Sequence, residues 1–309
     1  MIARDLTVSV TDALKIVLDN VTPLGPEDVS ILDLPGRVLF DPIIADHMVP
    51  PWNNSAMDGY AMIAADSKGS SRNSPLRLRI AGEVQAGSVW QAAMENGTAV
   101  RIMTGAPIPA NADCVIPIED TEEDGGYVAL FREVSRFENY RFAGESIKKG
   151  DVVLNRGERL GSAHMGTLAS LNCGGARVYA RPRVSIIATG NEVVEPGQNI
   201  ADGQIRNINA YTLMAEAKKY GALPSYLGIA RDIYEDSRKL FEKALDADVV
   251  ISTGGVSMGK YDLVRDVYAA LVIDIKFGSV KVKPGRPLTS GTKAAKLVVG
   301  LPCNPVSTL

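Results

Sequence analysis

Cysteine and histidine are scarce in this chain of 309 residues, with three of the first and two of the second. Cys114, Cys173 and Cys303 are isolated and odd in number, which argues against both a disulfide framework and a zinc site. His47 and His164 belong to no ligand-spaced motif. A tightly bound transition metal of the protein's own is therefore not expected. A net charge of −3 gives no general attraction to nucleic acid or anionic lipid. No apolar run approaches the ~20 residues of a membrane span. The N-terminus lacks the charged-then-apolar order of a signal peptide. These absences predict a cytoplasmic protein that engages neither nucleic acid nor membrane. What remains is ordinary globular material, 46% hydrophobic and 22% charged, of a length that suits about two domains.

The chain changes character along its length. Residues 9–21 predict an amphipathic helix, capped by Ser9 or Thr11, with Val10, Ala13, Leu14, Val17, Leu18 and Val21 on its apolar face. From about 31 to 178 the signals are short strands between Gly, Pro and Asn: Leu76–Ile80, Ala99–Met103, Cys114–Ile118, Tyr127–Phe131 and Val152–Leu154. One helix, about 162–171, interrupts them. Residues 69–74 read as a polar loop. From Arg181 strands and helices alternate. Strands are expected at Val184–Ala188, Ser225–Ile229, Val249–Ser252, Ile273–Phe277 and Leu297–Leu301. Helices are expected after Asn209 as a cap, at 234–247 and at 261–271. Such alternation predicts a three-layer α/β domain with a mostly parallel sheet and right-handed crossovers.

Ligands of such sheets bind beyond the carboxyl ends of the strands. Those ends carry Thr189-Gly-Asn-Glu192, Ala230-Arg-Asp232, Thr253-Gly254-Gly255-Val-Ser257 leading to Asp262, and Pro302-Cys-Asn304-Pro. Gly254 and Gly255 would let the backbone turn tightly, and their N–H groups would form a concavity for an anion. Glu192, Asp232 and Asp262 put a carboxylate at three of the four ends. Mg²⁺ usually takes one or two carboxylates plus substrate phosphate, so a shared metal–phosphate role is expected. Lys281, Lys283 and Arg286 would add positive charge. Each feature alone also suits a plainer role: a strand–turn–helix connection, a solvated acid, an exposed basic turn.

Six segments occur in order: Ser55-Ala-Met-Asp-Gly-Tyr-Ala61, Arg101-Ile-Met-Thr-Gly-Ala-Pro107, Ile187-Ala-Thr-Gly-Asn-Glu192, Ser252 to Asp262, Lys283-Pro-Gly-Arg-Pro287 and Gly300-Leu-Pro-Cys-Asn-Pro305. Together they resemble MoeA, the molybdopterin molybdenumtransferase family, whose relatives include the gephyrin E domain. The resemblance spans essentially the whole chain. It implies insertion of molybdenum, or tungsten, into adenylylated molybdopterin, with Mg²⁺-dependent release of AMP. Molybdopterin-AMP and molybdate would be the substrates. By the resemblance, Asp58, Thr104, Asp232 and Asp262 are catalytic candidates, with Asp58 positioning phosphate or molybdate and Thr104 a polar contact. Without it, Asp58-Gly59 and Thr104-Gly105 read as turns. Glu192, Asp232 and Asp262 become metal candidates. Thr189, Gly254, Gly255, Ser257, Lys281, Lys283, Arg286, Pro302 and Asn304 become substrate-binding candidates. Met57 and Tyr60 read as core residues.

The resemblance also implies a homodimer whose site is shared between subunits, with the upstream adenylyltransferase as a candidate partner. The expected organisation is a helix 1–24 on the α/β domain, a linking lobe of 25–46 and 144–180, a β-rich lobe 47–143 and the α/β domain 181–309. Two departures stand out. PGRP replaces the lysine common in that loop, and Cys303 stands where glycine is frequent and reads as a small packing residue. The chain stops at Val306-Ser-Thr-Leu309, where Ser307 or Thr308 would cap a helix and the family usually continues into a small β-domain. A fragment or a shortened member is expected. The alternative to an enzyme is a non-catalytic molybdopterin-binding or scaffolding protein, which would have no need of carboxylates at 58, 232 and 262.

Overall fold

The computed structural model describes residues 6–85, 87–254 and 263–309. They form two compact units. The first joins the chain up to Asp28 with Arg177–Leu309, and the second is Val29–Ala176. Among the described residues no helix is long and apolar enough to cross a membrane.

The first unit begins with helix α1 (Val10–Asp19), capped by Ser9, whose Oγ accepts from the Asp12 amide at 3.1 Å. Its sheet contains β1 (Arg183–Thr189), β2 (Leu223–Ala230), β3 (Val249–Thr253), β4 (Asp274–Phe277), β5 (Thr289–Lys293) and β6 (Lys296–Leu301). The order is β2-β1-β3-β6-β5-β4. The three ladders among β2, β1, β3 and β6 are parallel, and the two that add β5 and β4 are antiparallel. Helices α2 (Asn209–Lys219), α3 (Tyr234–Ala244) and α4 (Leu263–Ala270) cover it. The period of two along β1 divides the core. Val184, Ile186 and Ala188 pack with Ala210 and Leu213 of α2, while Ile187 packs with Phe241 of α3 and Val267 and Tyr268 of α4. Helices thus lie on both faces, in three layers.

Several expectations need correction. The sheet is mostly parallel, as expected, but its edge pair runs antiparallel, and β5 was not foreseen. Thr289, Ser290 and Gly291 are buried, but their polarity gives no strand pattern. Asn209 does not cap α2. It is the first helical residue, and the Asn207 side chain instead accepts from the Ala210 amide at 3.3 Å. The inward face of α1 consists of Ala13, Ile16 and Val17, packed on Val8, Phe277, Val280 and Leu288. Val10, Leu14, Leu18 and Val21 are exposed. The cause is the preceding strand, Thr7–Val8, which pairs in parallel with Ser279–Val280 and so fixes the rotation of the helix that follows. Ser307 and Thr308 lie within the helix Pro305–Thr308, capped by Asn304.

The second unit is built on a six-stranded sheet ordered Cys114–Pro117, Gly59–Met62, Thr98–Ile102, Ser71–Val84, Tyr127–Arg132, Thr121–Asp124. All its ladders are antiparallel except that of Ser71–Val84 with Thr98–Ile102. Residues 71–74, expected in a loop, extend the long strand. Gly59–Met62, read only as a motif, is a fully buried strand. Tyr60 is buried, as expected, and its hydroxyl donates to Glu123 at 2.8 Å. Met57 is 39% exposed and is not core.

Candidate functional site

At the carboxyl edge of the parallel strands, Thr189, Gly190, Glu192, Ala230, Asp232, Ser237, Gly254, Leu263, Val264 and Cys303 line one pocket of about 200 Å³. Topology collects them. The parallel register Ala188↔Thr253, Thr189↔Ala230 and Thr253↔Leu301 ends the four strands at one level, so residues distant in sequence meet there. Glu192 and Asp232 thereby share a cavity. A neighbouring cavity of about 220 Å³ also touches Thr189, Glu192 and Cys303, and adds Asn207 and Asn209.

Gly254 closes the pocket floor. Its φ is +86°, and a Cβ there would stand 2.7 Å from the Thr189 hydroxyl oxygen. Thr189 itself is buried and donates to the Thr253 carbonyl at 2.9 Å. The expected N–H cradle is corrected on one point. The Gly254 amide is already bound to the Leu301 carbonyl at 2.9 Å. Gly254 therefore offers room and close backbone approach, not a free donor. Gly255, Ser257 and Asp262 lie outside the described residues.

Four residues around the acids were not singled out from sequence. Arg231 Nη1 donates to the carbonyls of Gly190, Asn191 and Val193 at 3.2, 3.1 and 2.9 Å. The Asp232 amide donates to Asn191 Oδ1 at 3.1 Å, and Ser237 Oγ donates to the Arg231 carbonyl at 2.7 Å. These bonds tie the Glu192 loop to the Asp232 loop as one body. Asn209 Nδ2 donates to the Cys303 carbonyl at 2.7 Å, anchoring the fourth strand end. The position of Arg231 beside Asp232 was visible in sequence, but the bonds it makes were not. Cys303 is also reassigned, because its thiol is exposed at the pocket wall and not packed.

The other predicted residues are placed as follows. Lys281, Lys283 and Arg286 are exposed and line a separate hollow of about 660 Å³ with Thr7 and Val282. They do not line the pocket of Glu192 and Asp232. Asn304 spends its side chain on the Val306 amide, and the Pro302 carbonyl accepts from Thr308 Oγ1 at 2.8 Å. Both have structural duties, and neither lines the described cavities.

Asp58 and Thr104 belong to the second unit. The antiparallel register Gly59↔Ile102 brings the residue before one strand beside the residues after the other. Asp58 Oδ1 accepts from the backbone amide and the hydroxyl of Thr104, both at 2.7 Å. The backbone bond first, and the hydroxyl second, hold the Asp58 carboxyl below its ordinary value. Held by these two bonds, the exposed carboxylate presents a negative charge of fixed orientation.

The three-layer sheet whose strand ends gather these carboxylates lies within residues 185–309, which match the model of a probable molybdopterin binding domain. Residues 8–172 match the MoeA N-terminal region, domains I and II. The chain belongs to the MoeA family, whose members act in molybdenum cofactor biosynthesis. It is 36% identical over 309 residues to the molybdopterin molybdenumtransferase of a Nostoc species, covering 97% of this chain and 71% of that protein. It is 35% identical to the molybdopterin molybdenumtransferase of Bacillus subtilis, covering 99% and 72%. The solved molybdopterin biosynthesis MoeA protein of Pyrococcus horikoshii superposes with a TM-score of 0.84 at 30% identity, covering 98% of this chain and 76% of that one.

Proposed function

We propose that this chain inserts molybdate-derived molybdenum into adenylylated molybdopterin, with Mg²⁺-dependent release of AMP. The observation that carries the reading is the convergence of Glu192 and Asp232 on one small pocket floored by the side-chain-free Gly254. Family membership supplies the reaction class.

The donor set at the pocket suits Mg²⁺. Glu192 and Asp232 bring carboxylate oxygens, the type a hard cation selects, to the pocket, and among the described residues no third His, Cys, Asp or Glu completes a cluster with them. Glu192 and Asp232 would hold the ion, with Asp262 as a third candidate. Bound there, Mg²⁺ would neutralise phosphate charge as the bond to AMP breaks. The remaining work falls to the chain. Gly254 lets the phosphate approach the backbone. Arg231 and Asn191 keep the two acids in register. Lys281, Lys283 and Arg286 form a basic hollow for an oxyanion such as molybdate. Asp58, fixed by Thr104, orients a reacting group or its water. The same reading makes the working form a homodimer, supplied with substrate by the upstream adenylyltransferase.

The test is AMP release from adenylylated molybdopterin. Release is expected only when molybdate and Mg²⁺ are both present. Brisk release without either ion would overturn the coupled reaction. Tight binding with no release under any condition would favour a binding or scaffolding protein. Sedimentation at twice the chain mass is expected, and a monomer at assay concentration would remove the dimer from the proposal.

A further inference from the structure

The second unit contains a larger and different cavity, of about 430 Å³, lined by Trp52, Gly87, Ser88, Val89, Met103, Thr104, Gly105, Ala106 and Pro107. Its walls are chiefly apolar, and its volume lies in the range of small-molecule sites. The sequence had singled out Thr104 and the segment around it, but not Trp52 or the cavity they share.

Two features mark it as built for a ring. The first is Trp52, whose indole is 51% exposed. Its exposure is not that of a loose loop. The backbone is pinned on both sides: the Pro50 carbonyl accepts from the Gly144 amide at 2.9 Å, and the Asn53 carbonyl from the Ile108 amide at 3.0 Å. Asn53 Oδ1 adds a bond from the Ala143 amide at 2.9 Å. A large flat side chain is thus presented to the cavity on a fixed mount. The second feature is Thr104. Its hydroxyl proton is committed to Asp58, so toward the cavity its oxygen can only accept. Its own segment is pinned as well, since the Gly105 amide donates to Ser55 O at 2.8 Å and the Ala106 amide to Met103 O at 3.0 Å.

We propose that this cavity binds a planar, amino-bearing nitrogen heterocycle, stacked on Trp52 with a ring-edge N–H donated to Thr104 Oγ1. An indole on a fixed backbone offers a large flat stacking surface, and apolar walls of Val89, Met103, Ala106 and Pro107 exclude water from the ring faces. An acceptor-only polar edge selects rings that bring a donor. The proposal rests on the function proposed above, whose substrate contains two such rings, an adenine and a pterin. Because Thr104 also holds Asp58, a ring seated here would place the substrate's adjoining atoms at that carboxylate.

Calorimetric titration of this chain with AMP and, separately, with free pterin tests the proposal without turnover. One of the two is expected to bind, and the one that does names the ring. Trp52→Ala should weaken it roughly tenfold or more, as loss of a stacking partner does, while Trp52→Phe should recover most of the affinity. Val89→Asp, at an exposed wall, should weaken it too. Unchanged thermal unfolding of Trp52→Phe separates lost stacking from lost folding. If neither ring binds, or if Trp52→Ala binds as tightly as wild type, the proposal is overturned. Molybdate-dependent AMP release by Trp52→Ala with an unchanged KM would also overturn it, yet would leave the proposed reaction standing.

Discussion

The two units hold their acids in different ways. Asp58 is set by one pair of neighbouring strands: their antiparallel register puts Thr104 against it, and two hydrogen bonds finish the arrangement. Glu192 and Asp232 are set by a parallel sheet, which brings residues about forty positions apart to one edge and then needs Arg231 to lash their loops together. The separations along the chain are alike, and the difference lies in the restraint. Asp58 is held by bonds to its own carboxylate, which lower its pKa. Glu192 and Asp232 are positioned through the backbone of their loops.

Glycine substitutions should break this contrast most sharply. Gly59→Ala would put a Cβ 1.9 Å from the Ile116 carbonyl oxygen, inside a fully buried strand. The cost should exceed the ~1–3 kcal/mol typical of overpacking, and thermal denaturation should show the second unit unfolding early. Gly254→Val, at φ +86° and against Thr189, should instead abolish Mg²⁺-dependent AMP release while the second unit melts as in wild type. The release assay with molybdate and Mg²⁺ checks it. Retained release would show that the pocket floor has no part in the reaction.

Removing an acid comes next. Asp232→Ala should cut AMP release by roughly 10²–10⁴-fold, the scale of a lost acid–base or metal-positioning group, with no fall in Tm, because the side chain is exposed. Wild-type turnover at saturating Mg²⁺ would dismiss Asp232 from the reaction.

Arg231→Met should have an intermediate effect. Three carbonyls lose their common donor, and the two loops can drift apart. About a tenfold loss in kcat/KM, worth ~1.4 kcal/mol, is expected, accompanied by a higher Mg²⁺ requirement. Loss of activity with an unchanged Mg²⁺ dependence would mean that Arg231 does not act through the acids.

Thr104→Val should give the smallest change. It removes the hydroxyl donor but keeps the backbone bond, which is the larger cause of the lowered pKa. The Asp58 pKa should rise toward its ordinary value without reaching it, as read by carboxyl-carbon NMR titration. The sign follows from linkage. A lowered folded-state pKa contributes stability above the unfolded-state value, and that contribution fades as pH falls through the folded one. In the variant the contribution should be smaller and its loss complete at a higher pH. An unmoved titration would dissociate Thr104 from the charge of Asp58.

Much of the α/β unit could be read from sequence because its strands are apolar runs between glycine turns. Val184–Ala188 and Val249–Ser252 fall inside β1 and β3, and the inward residues Phe241 and Ala244 of α3 follow helical spacing. The strand β5 escaped because Thr289, Ser290 and Gly291 are buried without being apolar. Gly59–Met62 escaped because it was seen as a motif and not as a strand. The face of α1 was misjudged because the helix is apolar on two sides, and only its partner strand decides which is covered. At the site, residue type revealed the acids but not their restraints. Arg231, Asn191, Ser237 and Asn209 act through side-chain hydrogen bonds to backbone atoms, which leave no periodic trace. The Trp52 cavity was legible only in part: the segment Arg101–Pro107 supplies one wall, but the two other stretches that complete it gave no signal.

The pairing of Thr7–Val8 with Ser279–Val280 has a consequence for biogenesis. On the ribosome the chain emerges from its N-terminus. Residues 29–176 are contiguous, so that unit can close on itself while synthesis continues. The first strand and helix cannot. Their partners, Phe277 and Val280, are made about 270 residues later. Until then both apolar sides of the helix face water, and the nascent chain offers a sticky amphipathic segment ahead of a finished domain. Chaperone binding during translation should concentrate on residues 6–21 and cease once residue 280 clears the exit tunnel.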